Sequence, residues 1–303
     1  AGGATNINGL SDAVTYGTGV SYSIGLGINA LDSLNTDSGC IAIGYNTLTD
    51  ATSAADSIAI GDNAGQNITT GARNTIVGNE AGQNLITATD NTFMGHLAGD
   101  RTTGSYNTCI GTFSGQGASN ATHQQSTAVG YGTLQAVTTG GKNTAIGTSA
   151  GNTITTGQNN VCLGRDSQPS GATASNEVTF GDSAISAIRC QVQSISSLSD
   201  RRDKKDIEEL PLGIDFINAL KPVKFTWNMR DGAKIGQQEA GFIAQDLDEA
   251  QIDADAEDYL SLVLKNNPEK LEASYGKLVP VLVKAVQELS AEIATLKKEI
   301  KNG

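Results

Sequence analysis

The sequence predicts a mainly β protein: a β-solenoid, or β-roll, of 17-residue repeats, followed by a small α+β domain that ends in a coiled coil. Three observations support this fold class. Glycine recurs at nearly constant spacing through the first 190 of the 303 residues. A short segment with a β-branched residue at a fixed position precedes each of these glycines, as is typical of strands. Beyond residue 190 the chain becomes richer in charge and closes with an apolar heptad pattern.

The repeat glycines mark the corners of the predicted coils. They are Gly27, Gly44, Gly61, Gly78, Gly95, Gly111, Gly130, Gly147, Gly164 and Gly181. Their spacing is 17 residues except for one interval of 16 and one of 19. The residue three before each glycine is β-branched, and the residue just before it is bulky and apolar. Because side chains two apart share one face of a strand, we expect these two positions to line the buried face.

Small residues complete the repeat. The residue between the two apolar positions is apolar or small in most repeats, which predicts that the opposite strand face is also covered. Three residues after each glycine comes Ala, Ser or Thr, as close stacking of coils requires. Ten coils about 4.7 Å apart give a rod of roughly 45–50 Å, stabilised by stacking. A low-complexity linker is rejected, since a linker would not keep a β-branched residue at ten successive positions.

Charge and composition exclude several classes of function. The net charge of −12 argues against nucleic-acid binding, which needs clustered Lys and Arg. No apolar run approaches the roughly 20 residues of a membrane span, and the N-terminus lacks the form of a signal peptide. We therefore expect a soluble protein without membrane insertion.

Cysteine and histidine give no metal-site pattern. We expect the four cysteines to be small buried residues, because their spacing fits neither a CxxC site nor a disulfide framework. They are Cys40, Cys109, Cys162 and Cys190. His96 and His123 have no Cys or His neighbour in sequence and are expected at surface or turn positions. No metal and no cofactor is predicted.

The repeats resemble a known kind of fibrous protein. Segments such as "CIAIG", "SIAIG" and "NTAIG" are similar to the head repeats of trimeric autotransporter adhesins and to repeats in phage fibres. The resemblance covers about residues 20–185. It implies a left-handed parallel β-roll and a homotrimer in which three rolls pack on one another, which would also cover the second strand face.

A cluster of hydroxyl, acid and base lies where the glycine-rich sequence ends. The stretch "SLSDRRDKKDI" contains the pattern S-D-x-R-x-K, with Ser199 followed by Asp200, Arg202 and Lys204. A serine becomes a nucleophile when a base removes its proton, and a lysine is such a base only where burial or nearby positive charge favours its neutral form. Arg201, Arg202 and Lys205 are candidates for that charge. From spacing alone, a solvated charge run explains the same residues.

The residues that follow resemble a specific family: the C-terminal intramolecular chaperone, or auto-processing domain, of phage tail spikes, tail fibres and endosialidases. The matching segments are "LSDRRDKKDIEEL", "ALKPVKFTWN", "AGFIAQDLDEA" and "SYGKLVPVLVKAVQEL", in the family's order over residues 198–300. The resemblance implies a self-cleaving dyad of Ser199 and Lys204, with Asp200 and Arg202 in support. The bond cut would be Leu198–Ser199 or Ser199–Asp200.

The rest of the C-terminal domain is predicted from its own periodicity. Ile214, Ile217 and Leu220 share one helical face that ends before a proline, and an alternating strand carries Trp227, expected as a core residue. "GFIAQDLDEA" predicts a strand that runs into a helix, and "DGAKIGQQEAG" predicts a mobile loop.

Two apolar heptad positions close the chain. They are Val279, Val286, Ile293 and Ile300 at the first position, and Leu282, Leu289 and Leu296 at the second. β-branched residues at the first position with Leu at the second favour two strands, whereas both resemblances imply three. We adopt three, because the β-roll and the chaperone domain each need it.

The domain boundaries and the function follow. We predict a lead-in over residues 1–20, a β-roll over 21–185, a connector over 186–198 and an auto-processing domain over 199–303, with a coiled coil over 279–300. The predicted function is a phage tail-fibre or tail-spike shaft or receptor-binding tip, made in the host cytoplasm and carried on the virion. Its predicted partners are two further copies of the chain and a host cell-surface receptor, with a polysaccharide favoured.

Rival functions have different requirements. A bacterial trimeric adhesin resembles the repeats, but such adhesins end in a membrane β-barrel, whereas this sequence ends in "LKKEIKNG". A polysaccharide-degrading tail spike would need paired carboxylates in a cleft, and the acids of residues 1–190 occur singly at turns. As an enzyme, the chain is therefore expected to be a single-turnover serine endopeptidase that acts on itself and on no external substrate.

Overall fold

The structure is a computed structural model that describes residues 13–16, 23–35, 39–191, 195–230 and 232–302. The chain divides into two compact units, Ala1–Ser183 and Ala184–Gly303. The first is a parallel β-solenoid and the second is a small α+β unit that ends in a long helix. This architecture confirms the predicted fold class. The finer predicted boundaries, including the connector over 186–198, stay predictions.

The first unit contains one sheet of eleven short strands in chain order. These are β1 (Ala13–Tyr16), β2 (Ser23–Leu26), β3 (Ile41–Ile43), β4 (Ile58–Ile60), β5 (Thr75–Val77), β6 (Thr92–Met94), β7 (Thr108–Ile110), β8 (Thr127–Val129), β9 (Thr144–Ile146), β10 (Val161–Leu163) and β11 (Val178–Phe180). Strands β2 to β11 pair in parallel, each with the equivalent residues of the next coil. β1 pairs antiparallel with β2. Residues 1–12 and 17–22 of the predicted lead-in lie outside the described residues.

The predicted inner face of the strands is wrong. In β3, Ala42 is fully buried, whereas Ile43 just before the corner glycine is 36% exposed. The same pattern recurs along the sheet, so the middle residue of each strand faces the interior. The reason is that residues outside the strands, such as Leu48 and Ile68, already supply large apolar side chains to the core, so most inward strand residues are Ala or Cys, with Ile76 and Phe93 as the larger exceptions. The bulky residues before the glycines form an outward row instead.

A ladder of buried polar side chains runs through the coils at the position four before each glycine. Asn74 Oδ1 accepts a hydrogen bond from the backbone nitrogen of Asn91 at 3.0 Å, and Asn91 Oδ1 accepts one from that of Asn107 at 2.9 Å. Asn143 and Asn160 repeat the contact at 3.0 Å. These bonds satisfy buried backbone donors where the chain enters each strand. The Asn and Ser residues therefore connect successive coils, a role beyond the turn preference seen in the sequence.

The corner glycines are required by both conformation and space. Gly78 has φ +142°, a region that residues with a Cβ rarely adopt, and a Cβ placed there would lie 2.4 Å from the carbonyl oxygen of Gly95. The small residues predicted three positions after the glycines are buried in the coils, with Ala64 and Ala81 as examples. The glycine and small-residue predictions are confirmed at these positions.

Two of the predictions for cysteine and histidine are wrong. Cys40, Cys109 and Cys162 are buried as expected, but Cys190 is exposed because it lies beyond the last coil. His123 is fully buried inside the interval of 19 residues, rather than at the surface or in an exposed turn. The longer coil folds this residue inward, a consequence of the irregular spacing that the regular pattern does not predict.

In its described residues, the second unit combines four α-helices with two small antiparallel sheets. Its elements are α1 (Ile214–Ala219), β12 (Val223–Thr226), β13 (Gln238–Gly241), α2 (Ala244–Asp253), α3 (Glu257–Leu260), β14 (Val263–Leu264), β15 (Glu272–Ala273) and α4 (Leu278–Asn302). Strand β12 pairs with β13, and β14 pairs with β15. The helix before the proline, the strand after it and the helix of "GFIAQDLDEA" are where the sequence predicted them. The predicted loop "DGAKIGQQEAG" instead ends in β13, since pairing with β12 extends it.

The core of this unit lies between α1, α2 and the start of α4. It consists of Leu212, Phe216, Leu247, Ala256, Leu260, Leu262, Val263, Leu278 and Val281. Trp227 is not part of it: the ring is half-buried on the β12–β13 hairpin, packs edge to face on Phe225 at 5.1 Å and donates to Glu239 at 2.6 Å. The prediction that Trp227 is a core residue is therefore wrong: it lies just after β12 on the same side as Val223 and Phe225, and that side is only partly buried and outside the core.

Helix α4 presents two different faces. Leu278, Val281 and Ala285 are buried in the unit, and Glu288 accepts a hydrogen bond from the backbone nitrogen of Ile214 at 2.7 Å, which caps the start of α1. The residues of the heptad pattern lie on the exposed surface of the same helix. Their exposed fractions are 58% for Val279, 46% for Leu282, 61% for Val286, 41% for Leu289, 49% for Ile293, 56% for Leu296 and 81% for Ile300. The coiled coil itself stays a prediction.

Candidate serine–lysine site

A single tight turn organises the residues singled out in the sequence. Asp200 caps a short 3-10 helix, Arg201–Asp203, by accepting a hydrogen bond from the backbone nitrogen of Arg202 at 2.8 Å. Lys204 ends the turn, and its backbone nitrogen donates to the carbonyl of Arg201 at 3.2 Å. A 3-10 turn advances about three residues per revolution. Lys204 is thereby returned to the side of the turn from which Ser199 enters.

Ser199 and Lys204 are in contact. The Lys204 Nζ lies 2.7 Å from the Ser199 Oγ and 3.5 Å from the carbonyl oxygen of the same serine. The first distance is within the range required for proton transfer between a nucleophile and its general base. The structure therefore brings together the two residues of the predicted dyad. Their role in cleavage stays a prediction.

Asp200 and Arg202 form an ion pair beside the dyad. Arg202 Nη2 lies 2.6 Å from Asp200 Oδ2, and its Nε lies 3.0 Å from Oδ1. The hydrogen bonds from Arg202 hold the pKa of the Asp200 carboxyl below its usual value, and the carboxylate in turn raises the pKa of the guanidinium. These contacts fix the turn between Ser199 and Lys204. They fit the supporting role predicted for both residues.

The Asp200–Arg202 ion pair also changes the distribution of charge expected around Lys204. The sequence suggested that Arg202 would supply positive charge against the lysine, but its charge is compensated by Asp200. Lys205 is similarly placed 3.6 Å from Asp206. Leu198, Ser199 and Lys204 are all exposed in the single chain, Leu198 by 95%. The side chains of the candidate dyad therefore face solvent in the single chain.

Two long-range contacts in the same unit have no signal in the sequence. Glu288 caps α1 from a distance of 74 residues, and the Tyr275 hydroxyl accepts from the backbone nitrogen of Phe242 at 3.2 Å. Neither residue belongs to a local motif, so pattern reasoning does not identify it. Both contacts hold parts of the second unit in place and do not touch Ser199 or Lys204.

Throughout the described ranges, no group of three or more His, Cys, Asp and Glu side chains is arranged to hold a metal ion. In those ranges no helix combines the length and the apolar character that crossing a membrane requires. The Ser199–Lys204 pair is the candidate site on which the function is argued.

Comparison with known proteins agrees with the resemblance in the C-terminal part. A family model described as "Chaperone of endosialidase" matches residues 199–256, so the match begins at the candidate nucleophile. It covers the 3-10 turn, α1, β12, β13 and α2. No curated protein and no solved structure matches the chain. Residues 199–256 of this chain are therefore similar to the endosialidase-chaperone family, and a parallel β-solenoid precedes them in the chain.

Proposed function

We propose that this chain is the shaft or receptor-binding tip of a phage tail fibre or tail spike, and that its C-terminal domain assembles three chains and is then cut off beside Ser199. The observation that carries the proposal is the contact of 2.7 Å between Ser199 Oγ and Lys204 Nζ at the first residue of the chaperone-family match. A nucleophile paired with a base at the start of an assembly domain suits a domain that is removed after use.

The proposed trimer rests on two apolar rows that face solvent in the single chain. The first is the outward row of the solenoid, where Ile43, Met94 and Ile146 are 36%, 43% and 43% exposed. The second is the heptad row of α4. Contiguous exposed apolar surface on a soluble protein marks an interaction site. Because both rows run along elongated elements, parallel association of copies of this chain would cover them together.

Assembly of the rolls explains why a chaperone domain is needed. Three chains must come into register before their rolls can pack on one another, and such non-local association is slow, while unpaired strand edges invite aggregation. A helical domain that associates early would hold the chains side by side while the coils stack. After assembly the domain is dispensable. Its removal would leave the fibre kinetically trapped, because the chains could then no longer separate and find one another again.

The proposed cleavage balances as an N→O acyl shift. Neutral Lys204 takes the proton of the Ser199 hydroxyl, and the Oγ attacks the carbonyl carbon of Leu198. Collapse of the tetrahedral adduct breaks the Leu198–Ser199 amide bond, the proton passes to the leaving nitrogen, and an ester remains. Water then hydrolyses the ester to give a carboxylate on Leu198 and a free Ser199 hydroxyl. Attack on the carbonyl of Ser199 itself is geometrically poor within one residue, although cleavage of Ser199–Asp200 stays open.

The protonation state of Lys204 would control the rate. A lysine accepts a proton only in its neutral form, so cleavage should accelerate as pH rises until that residue has lost its proton. In the trimer, burial of the 198–204 segment by the neighbouring chains would favour the neutral amine. Asp200 and Arg202 would hold the turn and orient the two reacting groups.

The cleavage is tested by substitution and gel electrophoresis. The parent chain of 31.2 kDa should give fragments of about 20 and 11 kDa, from an average of roughly 0.1 kDa per residue. Ser199→Ala and Lys204→Ala should each give only the full-length band. Lys205→Ala is the matched control, since it removes the adjacent exposed lysine, and it should be cut like the parent. Cleavage of Ser199→Ala at the parent rate would show that the cluster is a solvated charge run.

The chaperone role needs a separate test. Deletion of residues 200–303 before expression should yield an aggregated or monomeric solenoid, measured by light scattering. The uncleaved Ser199→Ala chain should form trimers under the same conditions. A soluble trimer from the truncated chain would contradict the assembly role, whatever the outcome for cleavage.

A further inference from the structure

Three ring-bearing side chains form a continuous ridge on the outside of the solenoid. His96, Phe113 and Tyr131 occupy successive coils, with ring centroids 5.5 and 5.7 Å apart and edge-to-face geometry. The backbone nitrogen of Phe113 donates to the carbonyl of His96, which holds the first two rungs in register. His96 is exposed, Tyr131 is 55% exposed and Phe113 is half-buried between them. We call these three residues the aromatic ridge.

The fold does not require an aromatic side chain at Phe113. Two residues after the corner glycines from Gly27 to Gly164 the chain adopts positive φ, which Asn tolerates better than bulky residues do. The first coils use Asn29, Asn46 and Asn63 there, and their side-chain amides bond in a ladder at 2.9 and 3.2 Å. Phe113 holds the same position with φ 58°. A strained aromatic therefore replaces a residue type that serves the coil better.

The location adds a second irregularity. The ridge spans the two intervals of 16 and 19 residues, the departures from the period of 17. An aromatic side chain in a backbone conformation that Asn adopts more readily, at a break in a regular repeat, is typical of functional positions. The outer row of apolar strand residues lies before the corner glycines, whereas the ridge lies after them. The ridge and the outward row therefore occupy different positions of each coil.

The size and chemistry of the aromatic ridge indicate the chemical class of ligand that it can bind. Three rings along about 11 Å form a track one side chain wide, much smaller than the roughly 800 Å² per partner of a stable protein interface. Sugar rings have flat apolar CH faces that pack on aromatic side chains and hydroxyls that bond to polar neighbours. Such neighbours flank the ridge: Asn79 in the preceding coil and Thr148 in the following one. The excess of 12 acids over 5 bases in residues 1–190 disfavours a polyanion.

We propose that the aromatic ridge is a binding site for a neutral, linear polysaccharide that lies along the axis of the solenoid. The inference rests on the proposed receptor-binding role and names the surface and the ligand class for it. Phe113 and Tyr131 would stack on successive sugar units, while His96 and Asn79 would bond to hydroxyls.

The experiment uses the full-length chain and an array of purified bacterial surface polysaccharides, neutral and acidic, followed by calorimetric titration of the strongest neutral binder. Phe113→Asn and Tyr131→Asn should each weaken binding by about tenfold or more, the effect of losing one aromatic contact. Phe113→Asn should fold at least as well as the parent, because Asn occupies the same position in three other coils. Tyr45→Asn is the matched control: this exposed tyrosine lies after a corner glycine but outside the ridge, and its loss should leave binding unchanged.

The outcomes separate this inference from the proposed function. Light scattering and cleavage are measured on the same variants. If the parent is trimeric and cleaves itself but binds acidic polysaccharides alone or none, the inference is overturned while the proposed function stands. Unchanged binding in both ridge variants also overturns it. Loss of trimers in Tyr131→Asn, with Tyr45→Asn still trimeric, would identify the ridge as an interface between chains and reject the glycan site.

Discussion

Acid should weaken the solenoid through one buried histidine. His123 is fully buried and neither ring nitrogen has a hydrogen-bond partner. Burial lowers the pKa of its imidazole from 6.5 to about 4, with desolvation as the cause. Between these two values the unfolded chain binds a proton that the folded chain does not. Stability is therefore complete above the unfolded pKa, falls as pH drops from 6.5 to about 4, and changes no further below that from this group.

The size of the effect follows from the pKa difference. Each pKa unit corresponds to about 1.4 kcal/mol, so the shift of His123 predicts a loss on the order of 3 kcal/mol between pH 7 and pH 4. In His123→Leu this component should vanish, since the replacement has no titrating group and needs no hydrogen bond. If the leucine packs less well than the histidine, the variant is less stable at both pH values. The difference between the two pH values therefore measures the titration of His123 alone.

The assay is urea unfolding followed by circular dichroism at pH 7 and pH 4.5. The difference in unfolding free energy between the two pH values should be smaller in His123→Leu than in the parent, by about 2–3 kcal/mol. His96→Asn, which replaces the exposed histidine, should retain the acid dependence of the parent. Equal acid dependence in His123→Leu and the parent would refute the reasoning.

Three other substitutions test the account of the fold. Burial raises the pKa of the Asp100 carboxyl, so its ionised form destabilises the fold as pH rises through that pKa. Asp100→Asn should therefore raise the free energy of unfolding in urea at pH 7, because Asn84 can still donate to the new amide oxygen. Gly78→Ala should cost about 3 kcal/mol or more in the same assay, through positive φ and a clash, whereas Gly171→Ala, in open space, should be nearly neutral. Glu288→Ala should lower the melting temperature of the second unit by removing the cap of α1, a loss of about 1 kcal/mol.

The periodic features of this protein could be predicted from its sequence. A corner glycine such as Gly78 is tied to one conformation, so its recurrence reports the coil directly. The contact between Ser199 and Lys204 is equally local, because a single 3-10 turn brings the two side chains together. Predictions succeeded where one turn of chain contains the whole physical cause.

The wrong predictions and the missed contact share one cause: each depends on where the folded chain places a side chain relative to other coils or helices. Ile41 and Ile43 are more apolar than Ala42, so the sequence assigns them to the interior, but in the folded coil Ala42 is the fully buried residue. His123 lies in an interval of irregular length, where the repeat no longer fixes the direction of a side chain. Glu288 reaches its partner across 74 residues. Burial and long-range capping depend on coil dimensions and tertiary contacts that a local pattern does not encode.

Native mass spectrometry of the freshly expressed chain, repeated over time, measures chain assembly and cleavage in one experiment. We expect a trimer of three times 31.2 kDa that converts to a lighter trimer, with each subunit losing about 11 kDa and the released fragment beginning at Ser199 or Asp200. Ser199→Ala should remain at the mass of the intact trimer. A parent protein that stays monomeric, or a trimer whose subunits keep their full mass while the pH is raised, would contradict the claim that this domain assembles three chains and then removes itself.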